Sequence, residues 1–163
     1  MAEWGIMLWG GDMDKIGLIG RLEAGHEALR TALEGVDADM EVCPGWTASG
    51  LLAHISGWDE YAIPWFRAIA EGDLAYEPPW RGVDAHNAEF VAEREGLSYA
   101  EMLQDCERSR ERLKATIGAM PAEALGTPLD YPWGERGTVA EFALILAEHD
   151  KEHAAEIEAA REP

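Results

Sequence analysis

Apolar residues recur at helical intervals along four stretches of this chain, and that repeat limits the fold more than any other feature. In the first stretch, from about Asp14 to Glu34, the residues Ile16, Ile19, Leu22, His26, Leu29 and Leu33 form one stripe. The second starts near Thr47, a residue suited to cap a helix N-terminus, and continues to about Glu71. Its stripe reads Leu51, His54, Ile55, Trp58, Ala62, Trp65 and Ile69. Pro64 falls inside it and would kink the helix unless packing compensates for the lost hydrogen bond. The third opens at Ser98-Tyr99-Ala100-Glu101, a capping box in which serine and glutamate each satisfy an orphan amide. It carries Met102, Cys106, Leu113, Ile117 and Met120, and stops before Pro121. The fourth follows a second such box, Thr138-Val139-Ala140-Glu141, and runs to about Ala160. Val139, Phe142, Leu146, His149, His153 and Ile157 share its face. Four amphipathic helices predict an all-α four-helix bundle. The segment Gly72 to Leu97, with Pro78-Pro79 and room for a short helix from Val83 to Arg94, is too long for a hairpin. It predicts a long crossover between the second and third long helices, which would then run parallel. No stretch alternates as a convincing strand.

With 163 residues, the whole of 1–163 is expected to form one domain, residues 1–13 being an N-terminal extension. The 32 acidic residues outnumber 13 basic ones, giving a formal charge of −19. Such a field repels polyanions, so neither nucleic acid nor an anionic membrane surface is expected as a partner. No run approaches the roughly 18 apolar residues of a membrane span. The N-terminal Met1 to Trp9 is apolar but has no basic start, unlike a signal peptide. Two cysteines, Cys43 and Cys106, are too few for a disulfide framework, and a cytoplasmic location is expected. The expected partners are a small-molecule substrate and, from exposed apolar bundle faces, a second copy in a homodimer.

Chemistry is concentrated in three histidines on inward faces. His149 and His153 lie four apart, so their imidazoles stack on one side of a helix. His54 occupies the inward stripe of another helix. A lone histidine on such a stripe is ordinarily a hydrogen-bonded core residue. Three that can converge in a bundle core instead suggest a metal centre. Neutral imidazoles suit divalent transition metals, zinc or nickel foremost, with iron(II) and copper also compatible, and disfavour calcium and magnesium. Three protein ligands leave coordination positions open, as catalytic sites do. The run His149-Asp150-Lys151-Glu152-His153 resembles the HExxH of metalloproteases only in its histidines, because Asp150 stands where glutamate is needed.

Other residues have plainer readings beside their chemical ones. His26 is either a fourth ligand or, more ordinarily, a core or rim histidine. His86 is expected at the surface. Asp150 and Glu152 either orient an imidazole or are solvated, the latter being the expectation for neighbours of a ligand. Asp59 or Glu60 is either a general base or exposed. Asn87 either contacts substrate or packs a helix. Cys43 and Cys106 read as buried, unreactive thiols, with a nucleophile or additional ligand as the alternative for Cys43. The tryptophans Trp46, Trp58, Trp65, Trp80 and Trp133 read as core or pocket wall.

Two motifs among these carry a family resemblance. Gly45-Trp46-Thr47 through Leu51-Leu52-Ala53-His54 to Gly57-Trp58-Asp59 resembles the second-helix motif of the DinB/YfiT-like superfamily. Glu148-His149-Asp150, followed by His153 and Ile157, is similar to that superfamily's closing helix. Val83-Asp84 with Asn87 and Phe90, and the helix from Ser98 to Pro121, fall in comparable segments, so the likeness spans about residues 14 to 160. The resemblance implies a bundle with a long crossover and a divalent metal held by His54, His149 and His153. It also implies the family's range of activities: bacillithiol- and mycothiol-dependent transferases or isomerases, metal-dependent hydrolases, and resistance proteins like ClbS and DfsB. A metal-dependent enzyme acting on a small molecule, by hydrolysis or thiol transfer, is the expectation. A non-enzymatic bundle that binds metal or sequesters a small molecule is the alternative.

Overall fold

The Asp14 carboxylate accepts a hydrogen bond from the Gly17 amide at 2.8 Å and so starts the first helix, α1 (Lys15–Ala32). In the computed structural model, residues 14–161 are described, and the N-terminal extension lies outside them. A short hairpin follows, β1 (Glu41–Cys43) and β2 (Trp46–Thr47), turning at Gly45 with a φ of 84° that glycine alone adopts readily. Thr47 then caps α2 (Ala48–Ala70), its hydroxyl accepting from the Gly50 amide at 3.1 Å. The helix runs through Pro64, which faces solvent, where water can take the carbonyl left without an amide partner.

The crossover contains α3 (Val83–Glu93), and Ser98 with Glu101 forms a complete capping box at the head of α4 (Tyr99–Ala119). A 3₁₀ turn (Ala122–Gly126) leads to a second hairpin, β3 (Pro128–Asp130) and β4 (Arg136–Thr138), and then to α5 (Val139–Arg161). The box at Thr138 is half made. Its hydroxyl accepts from the Glu141 amide at 3.2 Å, while the Glu141 carboxylate takes the threonine hydroxyl rather than a backbone amide.

The four long helices confirm the bundle. Their order follows from the core: Leu51, Leu52 and Ile55 of early α2 cluster with Met102 and Cys106 of early α4. Ile63, Phe66 and Ile69 of late α2 cluster with Leu113 and Ile117 of late α4. The two helices therefore run parallel, as the long crossover requires. By the same reasoning α1 and α5 run parallel, Leu18 and Leu22 clustering with Phe142 and Leu146, and Leu29 and Ala32 with Ala154 and Ile157. A fully buried side chain such as Phe66 or Phe142 contributes roughly 2–3 kcal/mol by leaving water.

The two hairpins correct the expectation of no strands. Each strand is two or three residues long, below the length at which alternation is visible. Among the described residues no helix is long and apolar enough to cross a membrane.

Candidate metal centre

His54 projects from α2, and His149 and His153 project from α5. Their ring nitrogens meet. His149 Nε2 lies 2.7 Å from His54 Nε2 and 2.9 Å from His153 Nε2. One ligand atom from each of the three lies within 4.8 Å of the others. His54 and His149 are buried and His153 is half-buried.

Hydrogen bonds on the far side of the rings decide which nitrogens carry protons. Asn87 Oδ1, on α3, is 2.9 Å from His54 Nδ1 and accepts from Trp58 Nε1 at 3.2 Å. An indole only donates, so the amide atom between them is the oxygen, and His54 Nδ1 must donate to it. That leaves His54 Nε2 as a lone pair. His153 Nδ1 donates in the same way to Glu156 Oε2 at 2.7 Å, one helical turn on, freeing its own Nε2. His149 Nε2 thus sits between two lone pairs. One proton there would satisfy one neighbour and leave the lone pair of the other without a donor. A cation shared by all three resolves this, so the cluster could hold a metal ion.

Electrostatics favour the neutral imidazoles that metal binding needs. Burial, reinforced by the nearby His153, pulls His54 down to about 4. Burial pushes His149 well below the usual histidine value, helped by the other two histidines and Arg110. Trp46, placed by the β1–β2 hairpin, meets the His54 ring edge-on at 5.2 Å. The trio lines neither the cavity of about 470 Å³ between α1 and α4 nor the one of about 470 Å³ where α3 meets the starts of α2 and α4. His153 and the neighbouring Trp46 are half-buried, whereas His54 and His149 are buried.

His26 keeps its expected place in the core, while several other single-residue expectations are corrected. His26 does not join the trio; its Nδ1 faces Asp150 Oδ2 at 3.3 Å and its Nε2 faces Glu107 Oε2 at 3.0 Å. Burial lowers its pKa, but the Asp150 and Glu107 carboxylates more than offset this and raise it. His86 is buried rather than exposed, among Trp58, Tyr61, Trp80 and Phe90. Asp59 is neither a base at the metal nor exposed. It is fully buried on Arg110, with contacts of 2.8 and 3.0 Å. Burial, opposed by Arg110, pushes its carboxyl up to about 6. Asp150 is equally buried instead of solvated, 2.9 Å from Arg110 Nη2. The position after a ligand is turned about 100° round the helix, and here that direction still points inward.

Glu60 anchors Arg94 and Arg112 at 2.9 and 3.0 Å. Asn87 serves an imidazole rather than a core contact alone. Both cysteines are free thiols. Burial raises both pKa values, aided at Cys43 by Glu156 and Glu41 and at Cys106 by Asp150 and Asp59. Sequence reasoning missed Glu156, whose one local signal is its place three residues beyond a histidine on the same helix face, and missed the Arg110 network, which has no local signal.

A search of the curated proteins found no match. Solved structures share the fold. One is DfsB, described as a sibling lethal factor precursor, 21% identical with a TM-score of 0.75 over 90% of this chain and 94% of that one. Another is the colibactin self-resistance protein ClbS in complex with double-stranded DNA, 19% identical with a TM-score of 0.75 over 91% and 96%. A third is a mycothiol-dependent maleylpyruvate isomerase, 19% identical with a TM-score of 0.76; this chain spans 61% of its length. The ClbS complex overturns the exclusion of nucleic acid drawn from net charge. Charge summed over a whole surface sets the long-range field, whereas binding depends on the local contacts of one face. The model of the DinB superfamily matches residues 21–157, and the chain belongs to that superfamily.

Proposed function

We propose that the protein is a metal-dependent enzyme acting on a small molecule, with zinc or nickel held by His54, His149 and His153. The observation that carries this reading is the convergence of three Nε2 atoms, two of them deprotonated by the hydrogen bonds of Asn87 and Glu156. A divalent ion bound there would lower the pKa of a water or of a substrate thiol, generating a nucleophile near neutral pH.

The chain's own residues do the rest. Asn87 and Glu156 fix the two ring tautomers and aim the lone pairs. The apolar surround, with Trp46 against His54, keeps His54 neutral and limits water at that face. Three ligands among the described residues leave room for a reacting group, which favours an enzyme over a storage site. Both hydrolysis and thiol transfer suit this arrangement, and the likeness to a mycothiol-dependent isomerase supports including thiols as substrates.

The test is elemental analysis of protein purified without a histidine tag, followed by a panel of hydrolytic and thiol-transfer substrates. Double-stranded DNA belongs in the panel because a protein of this fold was crystallised with it. One equivalent of zinc or nickel, lost together with turnover in His149→Ala, is the expected result. Absence of stoichiometric metal would sink the proposal. Metal without turnover on any substrate would instead support a binding protein.

A further inference from the structure

The two helices that carry the three histidines are not each other's main packing partners. α1 packs chiefly on α5, and α2 packs chiefly on α4. His54 therefore belongs to one helix pair, His149 and His153 to the other, and the trio spans the seam between them. The hydrophobic effect that closes such a seam is non-directional and does not by itself orient polar groups across it. Three imidazoles that share one ion need a far tighter setting.

One buried guanidinium crosses this seam. Arg110 on α4 donates from Nε and Nη2 to the two oxygens of Asp59 at 2.8 and 3.0 Å, and Nη2 also reaches Asp150 Oδ1 at 2.9 Å. Asp59 lies little more than a turn beyond His54 on α2, and Asp150 directly follows His149 on α5. All three charged side chains are at most 1% exposed. Asp150 continues the network to His26 on α1, which in turn meets Glu107 on α4. Each of the four long helices thus contributes a member.

Stability alone does not account for this triad. Well-packed apolar residues of similar volume are commonly as stable as a buried ion group, or more so. Arg110 Nη1 finds no protein acceptor among the described residues. What the fork does supply is direction: a two-point contact with Asp59 and a third with Asp150 fix both position and angle.

We propose that Arg110 is a positioning residue: by holding Asp59 and Asp150 together it sets the register of α2 against α5, and with it the spacing of His54 from His149 and His153. The consequence for metal rests on the reading of the trio as a metal centre, whereas the register itself can be measured without metal.

The test compares wild type with the triple variant Asp59→Leu/Arg110→Met/Asp150→Leu, which removes every charge of the triad together and leaves His26 its Glu107 partner. In metal-free protein, nuclear Overhauser contacts between the His54 and His149 rings report the register. In protein titrated with cobalt(II), affinity and the visible absorption band report coordination geometry. The variant is expected to unfold cooperatively, to lose the His54–His149 contacts, and to bind cobalt(II) at least tenfold more weakly with an altered band. Retention of the ring contacts, or of both affinity and band, overturns the proposal. Should the triple variant not fold, Arg110→Lys keeps the charge and removes the fork. It is expected to weaken the ring contacts and change the cobalt band, and an unchanged band with unchanged contacts overturns the proposal. A wild type that takes up no cobalt(II) defeats the metal reading separately, while the ring contacts still decide the register.

Discussion

His54 shows how one residue's surroundings change its chemistry. Burial and the neighbouring imidazole hold its pKa at about 4, against 6.5 for an ordinary histidine. In metal-free protein, the unfolded chain therefore binds a proton between those values that the folded chain refuses. Stability is fully present above pH 6.5 and falls as pH drops toward about 4, with His149 acting in the same direction. For His54 the loss is about 3 kcal/mol. His26 has the opposite sign: its raised pKa adds stability below the ordinary value, which is lost as pH rises through the raised one. Denaturant melts at pH 7 and pH 4.5 on wild type and His54→Ala isolate the His54 contribution. The variant should lose markedly less stability on acidification, and equal losses would contradict the burial argument. The three histidines themselves were legible in the sequence because helical spacing alone placed them on inward faces. Asp59, Asp150 and His86 were not, since charge and loop-like context favour solvent until tertiary partners are known.

Among the secondary elements that carry none of the three histidines, α3 supports the centre by bringing Asn87 to His54. Its approach depends on Gly57 of α2. A methyl group there would overlap the ring and Cβ of Phe90 on α3. Gly57→Ala is expected to push α3 outward, to cost roughly 1–3 kcal/mol as an overpacked contact, and to loosen the Asn87–His54 hydrogen bond. Losing such an outer partner typically weakens metal binding by about 10- to 100-fold. Thermal unfolding and zinc titration of the variant check both parts. A drop in stability with full zinc affinity would show that α3 does not orient the ring. The sequence marked this helix only weakly, through Val83 to Arg94, because its stripe is short. Arg94 anchors it with contacts of 2.7 Å to Asp105 and 2.9 Å to Glu60, pairings between elements that periodicity does not encode.

For the whole molecule, a metal ion held at a site shared by two helix pairs would make binding and folding one equilibrium. An ion that binds only the folded chain at a hundred times its Kd adds about 2.7 kcal/mol. For a chain of this size that corresponds to a rise in Tm of roughly 5–10 °C. Calorimetry with added zinc, then with a chelator, should show the rise and its reversal, and a Tm unmoved by either would argue against a native three-histidine centre. The acidic balance illustrates the limit of a molecular average: it excluded nucleic acid, yet ClbS, a protein of the same fold, was crystallised with DNA. By itself the sequence determined four helices, their caps, the crossover and the parallel run of α2 and α4. Those features follow from periodicity, local hydrogen bonding and loop length, all of which act within a few residues or along one segment. Only the tertiary structure decided that Asp59, Arg110 and Asp150 meet in the core, that Asn87 and Glu156 aim the imidazoles, and that the trio closes across a seam. Those contacts join residues far apart in sequence, where no local period records which charge will find which partner.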